Sequence, residues 1–117
     1  MNIEFITETD LIIVFSGELD HISATQNKER LEIKTATTPA ENIVLDFNGL
    51  TFMDSSAISL VYNIYKTAQE LSKKVTVVTS NERFIKIFSL AGMQKFVNIV
   101  SQYKKRSEGG SFENGNN

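Results

Sequence analysis

The sequence predicts an α/β fold: a single domain with a mostly parallel sheet, an antiparallel N-terminal edge strand and crossover helices. Short apolar segments alternate with segments of helical periodicity, which is the pattern of strands joined by helical crossovers. The first two apolar segments are separated only by the short polar stretch 8–10, which is typical of a hairpin. A chain of 117 residues suits one hydrophobic core.

The first three elements follow from local patterns. Residues 2–7 alternate apolar and polar side chains and predict an edge strand. Residues 11–16 are almost all apolar and predict a strand buried on both faces, which Gly17 ends. Residues 22–34 predict a helix with an incomplete apolar stripe, because Asn27 stands where a core residue is expected.

The middle of the chain carries the clearest periodicity. Residues 42–47 predict a third buried strand, and Asn48-Gly49 predicts a turn after it. Apolar residues at helical spacing over residues 57–71 predict a helix with one continuous apolar stripe. Residues 75–79 are rich in β-branched side chains and predict a fourth strand.

The last elements are marked by helix-capping residues. Asn81 is an N-cap for a third helix, and Gly92 suits the position after its end. Residues 96–100 predict a short final strand. The domain is therefore assigned to residues 1–100, and the polar, Gly/Asn/Ser-rich residues 101–117 are expected to form a disordered tail.

Composition excludes several function classes. The formal net charge of −2, with no basic stripe, argues against direct nucleic-acid binding. Cysteine is absent and His21 is the only histidine, so no metal site is expected. Neither a Gly-rich phosphate loop nor a long apolar run occurs, so we expect no cofactor, no membrane insertion and a cytoplasmic protein.

The candidate site lies where two strands end. In parallel sheets, functional loops gather at the carboxyl ends of the strands, which brings residues 17–21 and residues 53–56 together. The second segment contains Asp54-Ser55-Ser56 at the start of a helix, where the dipole and free N–H groups favour negative charge. These three residues alone fit two interpretations: a helix cap or an acceptor for a phosphate.

Both segments together resemble a known family. Gly17-Glu18-Leu19-Asp20-His21, followed by Phe52-Met53-Asp54-Ser55-Ser56, resembles the STAS domain of bacterial anti-sigma factor antagonists. The resemblance covers roughly residues 2–100, in the expected order of elements.

The resemblance implies a phosphorylation switch. The first serine after the aspartate, Ser55, is the expected phosphorylation site, with Ser56 as a secondary candidate. The implied partners are an anti-sigma factor with serine kinase activity, which binds the unphosphorylated form and thereby releases a sigma factor to activate transcription, and a serine phosphatase that resets the cycle. The protein itself is then not an enzyme.

The resemblance also assigns roles around Ser55. Asp20, His21 and Asp54 are the expected neighbours of the phosphorylation site. The expected partner-binding residues form one set along the site and the following helix: Glu18, Asp20, Asp54, Ser55, Ser56, Ile58 and Tyr62. The helix face of Ile58, Tyr62 and Tyr65 fits either an exposed partner-binding stripe or partial burial under neighbouring loops.

Three departures from the family pattern stand out. Ala57 replaces a glycine that usually follows the two serines, and Asn27 occupies an apolar position of the first helix. The usual C-terminal amphipathic helix is missing, because residues 101–117 contain no apolar stripe.

Two other functions compete with the switch. One is a non-switching STAS subunit of a stress-signalling scaffold or a membrane transport complex. The other is a hydrolase that uses Ser55, His21 and Asp20, which is disfavoured because the Gly-x-Ser-x-Gly nucleophile motif is absent.

Overall fold

The computed structural model describes residues 2–7 and 9–103. In chain order the elements are β1 (Asn2–Ile6), β2 (Asp10–Leu19), α1 (His21–Thr37), β3 (Asn42–Met53), α2 (Ser55–Glu70), β4 (Lys74–Val78), α3 (Glu82–Leu90), a 3₁₀ helix (Met93–Lys95) and β5 (Asn98–Val100). Among these residues, no helix is both long enough and apolar enough to cross a lipid bilayer.

The strands form one sheet in the order β1-β2-β3-β4-β5. β1 pairs with β2 in antiparallel orientation, and the other three pairs are parallel. The predicted α/β class, with an antiparallel edge strand, is therefore confirmed. All three helices bury residues in the same core cluster as Leu11, Ile13, Ile43, Leu45 and Val77 of the strands.

Two strands are longer than the sequence predicted. Gly17 does not end β2, which continues to Leu19, and the turn predicted at Asn48-Gly49 is wrong because β3 runs on to Met53. The two strands stay paired beyond these residues through two register shifts, each of which places one additional residue in β3.

Glycine makes this irregular pairing possible at two positions. Gly17 has φ of 82°, a left-handed conformation that glycine adopts at low cost. At Gly49, which lies opposite Ser16, a Cβ atom would stand 2.6 Å from the carbonyl oxygen of Phe15. The close approach of the two backbones therefore requires a residue without a side chain at position 49.

Helix α1 is longer than its apolar pattern predicted. It buries only three residues, which are Ala24, Leu31 and Thr35. Asn27, at the unexpected polar position, is half-buried and donates from its amide to the carbonyl of Ser23 at 2.7 Å. At the other end, Lys73 Nζ donates to the carbonyls of Thr35 and Thr38. The Asn27 hydrogen bond lies within α1, whereas the Lys73 hydrogen bonds join the end of α1 to the segment that follows α2.

The remaining predictions differ from the structure by a few residues. Helix α2 begins at Ser55, within the segment expected to start it, and β5 begins only at Asn98 because a 3₁₀ helix precedes it. The expected cap at Asn81 and the left-handed Gly92 are both present. Residues 104–117 lie outside the described residues, so disorder of the tail and its lack of an amphipathic helix stay predictions.

The contact at Gly49 gives a stability prediction. We expect Gly49→Ala to lower the free energy of unfolding by about 1–3 kcal/mol, because the added methyl group overlaps a backbone oxygen that moves only if β2 and β3 separate. Gly17→Asn is the control: no atom lies within 4 Å of the added Cβ, and asparagine tolerates the left-handed region. Urea unfolding followed by circular dichroism measures both, and a Gly49→Ala loss no larger than that of Gly17→Asn would contradict the account.

Candidate functional site

The pairing of β2 with β3 brings the two sequence motifs together. Leu19 lies opposite Met53 at the carboxyl ends of the two parallel strands. The next residues, Asp20 and Asp54, therefore leave the sheet at the same edge, and each starts a helix. The predicted meeting of the two segments is present, although Gly17 to Leu19 belong to a strand rather than to a loop.

Asp20 caps helix α1 through a reciprocal capping box. Its Oδ1 accepts from the amide of Ser23 at 3.0 Å, and its own amide donates to Ser23 Oγ at 3.0 Å. Hydrogen bonds from the backbone amide and the hydroxyl of Ser23 lower the pKa of the Asp20 carboxyl. Asp20 is thus a fixed anion at the site.

Asp54 caps helix α2 in a similar way. Its Oδ1 accepts from the amide of Ser56 at 2.8 Å, and its carbonyl accepts from the amide of Ala57 at 3.0 Å. Of the three residues that the sequence offered as caps, the structure uses Asp54. The hydroxyl of Ser55 is therefore not needed to start the helix.

The two serines have different surroundings. Ser55 is exposed, and no residue in the described part of the chain forms a hydrogen bond with its hydroxyl. Ser56 is half-buried and lines a groove of about 220 Å³ between α1 and α2, which His21 and Lys28 also line. Ser55 is consequently the more accessible of the two candidate acceptors.

Ala57 fits the first turn of α2 without strain. It is fully buried and belongs to the hydrophobic core between the sheet and the helices. Among the described residues, only Ser72 combines a side chain with a positive φ, so position 57 does not need the freedom of the family's glycine. This departure from the family pattern leaves the geometry of the site intact.

The arrangement does not form a Ser-His-Asp triad. His21 is exposed as the first residue of α1, and no hydrogen bond joins it to Ser55 or Asp20 within the described part of the chain. A hydrolase needs a histidine positioned by a carboxylate, and that contact is not formed.

A groove beside the site, which we call the α2 groove, shows how far the helix face that contains Ile58 and Tyr62 is covered. Its volume is about 510 Å³, and its walls come from α2 and from the segment after α3: Ile58, Ser59, Tyr62, Asn63, Ala91, Met93 and Phe96. Ile58 is half-buried and Tyr62 is 38% exposed. The face is therefore neither fully covered nor a free stripe, but one wall of a groove.

An aromatic cluster supports the α2 groove. The ring of Phe96 lies 5.6 Å from that of Tyr62 and 5.3 Å from that of Tyr65, centre to centre. Sequence reasoning missed Phe96 because it assigned this residue to the final strand. The signal available in the sequence was Gly92, whose chain reversal returns the following residues to α2.

The edge of the sheet at the site is acidic. Glu18 is exposed near the end of β2, and the carboxylates of Asp20 and Asp54 follow at the two caps. The one salt bridge between described residues, Lys28 to Glu32 at 3.2 Å, lies within α1 and neutralises none of these three.

The cap at Asp54 gives a second prediction. We expect Asp54→Ala to lower the free energy of unfolding by about 1 kcal/mol, because the amide of Ser56 loses its acceptor. Asp54→Asn is the matched control, since asparagine caps equally well without the charge. Thermal or urea unfolding measures both variants; equal losses would show that the charge of Asp54, and not its hydrogen bond, stabilises α2.

Comparison with known proteins identifies the family. The family model of the STAS domain matches residues 1–105. An anti-sigma F factor antagonist of Paenibacillus polymyxa is 28% identical over 89 residues, which cover 76% of each protein. The solved structure of the anti-sigma factor antagonist SpoIIAA in its unphosphorylated form superposes with a TM-score of 0.70 at 19% identity, over 92% of this chain and 93% of that one.

A second SpoIIAA structure, the Bacillus cell fate determinant in its phosphorylated form, gives a TM-score of 0.69 at 20% identity, over 87% of this chain and 93% of that one. These structures share the fold described above. Because the family model spans all the described residues and both motifs of the site, the chain belongs to the STAS domain family.

Proposed function

We propose that this protein is an anti-sigma factor antagonist controlled by phosphorylation of Ser55. In its unphosphorylated form it binds an anti-sigma factor with serine kinase activity in the cytoplasm, and the sigma factor is released to activate transcription. One observation carries the proposal: Asp54 caps α2, which leaves the neighbouring Ser55 hydroxyl exposed. The named relatives support the antagonist role.

The chemistry at Ser55 is a phosphoryl transfer from the ATP of the partner. Ser55 Oγ forms a bond to the γ-phosphorus, the bond from that phosphorus to ADP breaks, and the hydroxyl proton leaves Oγ. By analogy with other kinases, a carboxylate of the partner accepts this proton as the general base. This protein is the substrate and not an enzyme, and a serine phosphatase reverses the modification.

The added phosphate changes the docking surface more than the fold. It brings a charge of about −1.5 to −2 at pH 7, which the start of α2 attracts and which Asp20 and Asp54 repel. Ile58 lies one helical turn further along α2, in the wall of the α2 groove. A partner that covers this region would have to desolvate the phosphate, so phosphorylation opposes binding.

The docking surface has two parts with different chemistry. The acidic edge of Glu18, Asp20 and Asp54 suits a basic partner surface, which speeds association and orients the complex. The α2 groove offers the apolar side chain of Ile58 and the half-exposed ring of Tyr62. Tyrosine is enriched among the residues that dominate binding energy at interfaces. Ser55 lies between the two parts.

The modification is tested by intact-mass spectrometry after incubation with the cognate anti-sigma kinase and ATP. We expect one phosphate on the wild type, none on Ser55→Ala and one on Ser56→Ala, because Ser55 is exposed whereas Ser56 is half-buried. A phosphate that survives in Ser55→Ala but is lost in Ser56→Ala would move the site to Ser56. An unmodified wild type, with the kinase active on another substrate, would contradict the switch.

The docking surface gives a further prediction. We expect Tyr62→Ala to weaken binding of the anti-sigma factor at least tenfold, about 1.4 kcal/mol, because the α2 groove loses an aromatic anchor that is 38% exposed. The free energy of unfolding should fall by about 1 kcal/mol, since Tyr62 also contacts Tyr65 and Phe96.

Ile33→Ala is the control for this prediction, because Ile33 is 55% exposed on α1 and does not line the α2 groove. Isothermal titration calorimetry gives the affinity, and urea unfolding gives the stability. Equal binding by Tyr62→Ala and Ile33→Ala would show that the partner does not use the α2 groove.

A further inference from the structure

A second groove continues the docking surface beyond the α2 groove. Its volume is about 340 Å³, and we call it the basic groove because two lysines stand in its wall. The residues around it come from α2, from residues 73–75 and from the segment that leads into β5: Tyr65, Lys73, Lys74, Val75, Phe96 and Asn98. Phe96 also lines the α2 groove, so the two grooves meet at this residue.

The basic groove lies at the opposite edge of the sheet from the acidic edge. Lys74 is the first residue of β4 and pairs with Asn42, the first residue of β3, at the amino ends of these parallel strands. Asp20 and Asp54 follow the carboxyl ends of β2 and β3. Helix α2 connects the two edges with 16 residues, a length of about 24 Å. The docking surface therefore has an acidic end, an apolar middle and a basic end along α2.

The two lysines differ in the contacts that they already make. Lys73 Nζ donates to the carbonyls of Thr35 and Thr38 at the end of α1, which uses two of its three donors. Lys74 is exposed, and no salt bridge joins it to any residue in the described part of the chain. The positive charge of Lys74 is therefore available to a partner.

The walls of the basic groove combine this charge with aromatic surface. Phe96 is 43% exposed, and its ring lies 5.3 Å from that of the half-buried Tyr65, centre to centre. Asn98 adds a side-chain amide to the lining. A partner segment with a carboxylate next to an apolar side chain matches both features, because the carboxylate pairs with Lys74 while the apolar group covers the exposed ring.

We propose that the basic groove is the far end of the docking surface and receives an acidic stretch of the anti-sigma factor. This inference rests on the proposed function and specifies the partner: a segment along α2 with basic side chains at the acidic edge, apolar side chains in the α2 groove and acidic side chains in the basic groove. The opposite charges at the two ends fix the direction of the segment, because reversed docking would bring like charges together.

The test is the affinity of the purified cognate anti-sigma factor for the full chain and its variants, measured by isothermal titration calorimetry at low and high salt. We expect Lys74→Glu to weaken binding about fivefold and Lys74→Gln to weaken it less, because the first reverses the charge and the second only removes it. Both losses should shrink at high salt, which screens exposed charges. Lys86→Glu is the matched control, since Lys86 is exposed on α3 and lines neither groove.

The possible contrary results separate the inference from the proposed function. Equal affinities of Lys74→Glu and Lys86→Glu would overturn the inference and leave the proposed function intact. A wild type that does not bind the anti-sigma factor would contradict both. A wild type that dimerises in light scattering, with Lys74→Glu monomeric and unchanged in its affinity for the anti-sigma factor, would assign the basic groove to a second copy of the chain.

Discussion

The parallel pairing of β2 with β3 is the constraint on which the site depends. Because Leu19 lies opposite Met53, both strands end at the same level, and the two aspartates that follow start neighbouring helices. The pairing reaches this far only because β3 takes up two register shifts and Gly49 allows the backbones to approach. A local backbone contact thus determines which side chains share the functional edge.

At the start of α2, the helix cap and the proposed phosphorylation site are two adjacent residues. Asp54 accepts from the amide of Ser56 in the first turn of the helix, and the hydroxyl of Ser55 remains exposed. Had the serine been the cap, its modification would have changed the hydrogen bonding that starts the helix. With the aspartate as cap, a phosphate changes the charge and bulk of the surface while the helix keeps its start. In the proposed switch, this separation would allow the surface to change while the domain stays folded.

The sequence predicted the order of the elements and the meeting of the two motifs, because apolar periodicity and helix caps are local properties. It did not predict where β2 and β3 end, because Gly49 looks like a turn residue until its contact with Phe15, 34 positions away, is known. The role of Phe96 as a wall of the α2 groove was missed for the same reason: it depends on a packing contact with Tyr62 and Tyr65. Long-range contacts, rather than local propensity, account for these differences.

The central claim is that phosphorylation alters the surface around Ser55 and leaves the fold in place. It is tested most directly by comparing the backbone amide NMR spectra of the unphosphorylated and the phosphorylated full chain. The account predicts that shift changes are confined to the ends of β2 and β3, the first turns of α1 and α2, and the walls of the α2 groove. Changes that extend through β4 and α3 would reveal a rearrangement of the domain and would contradict it.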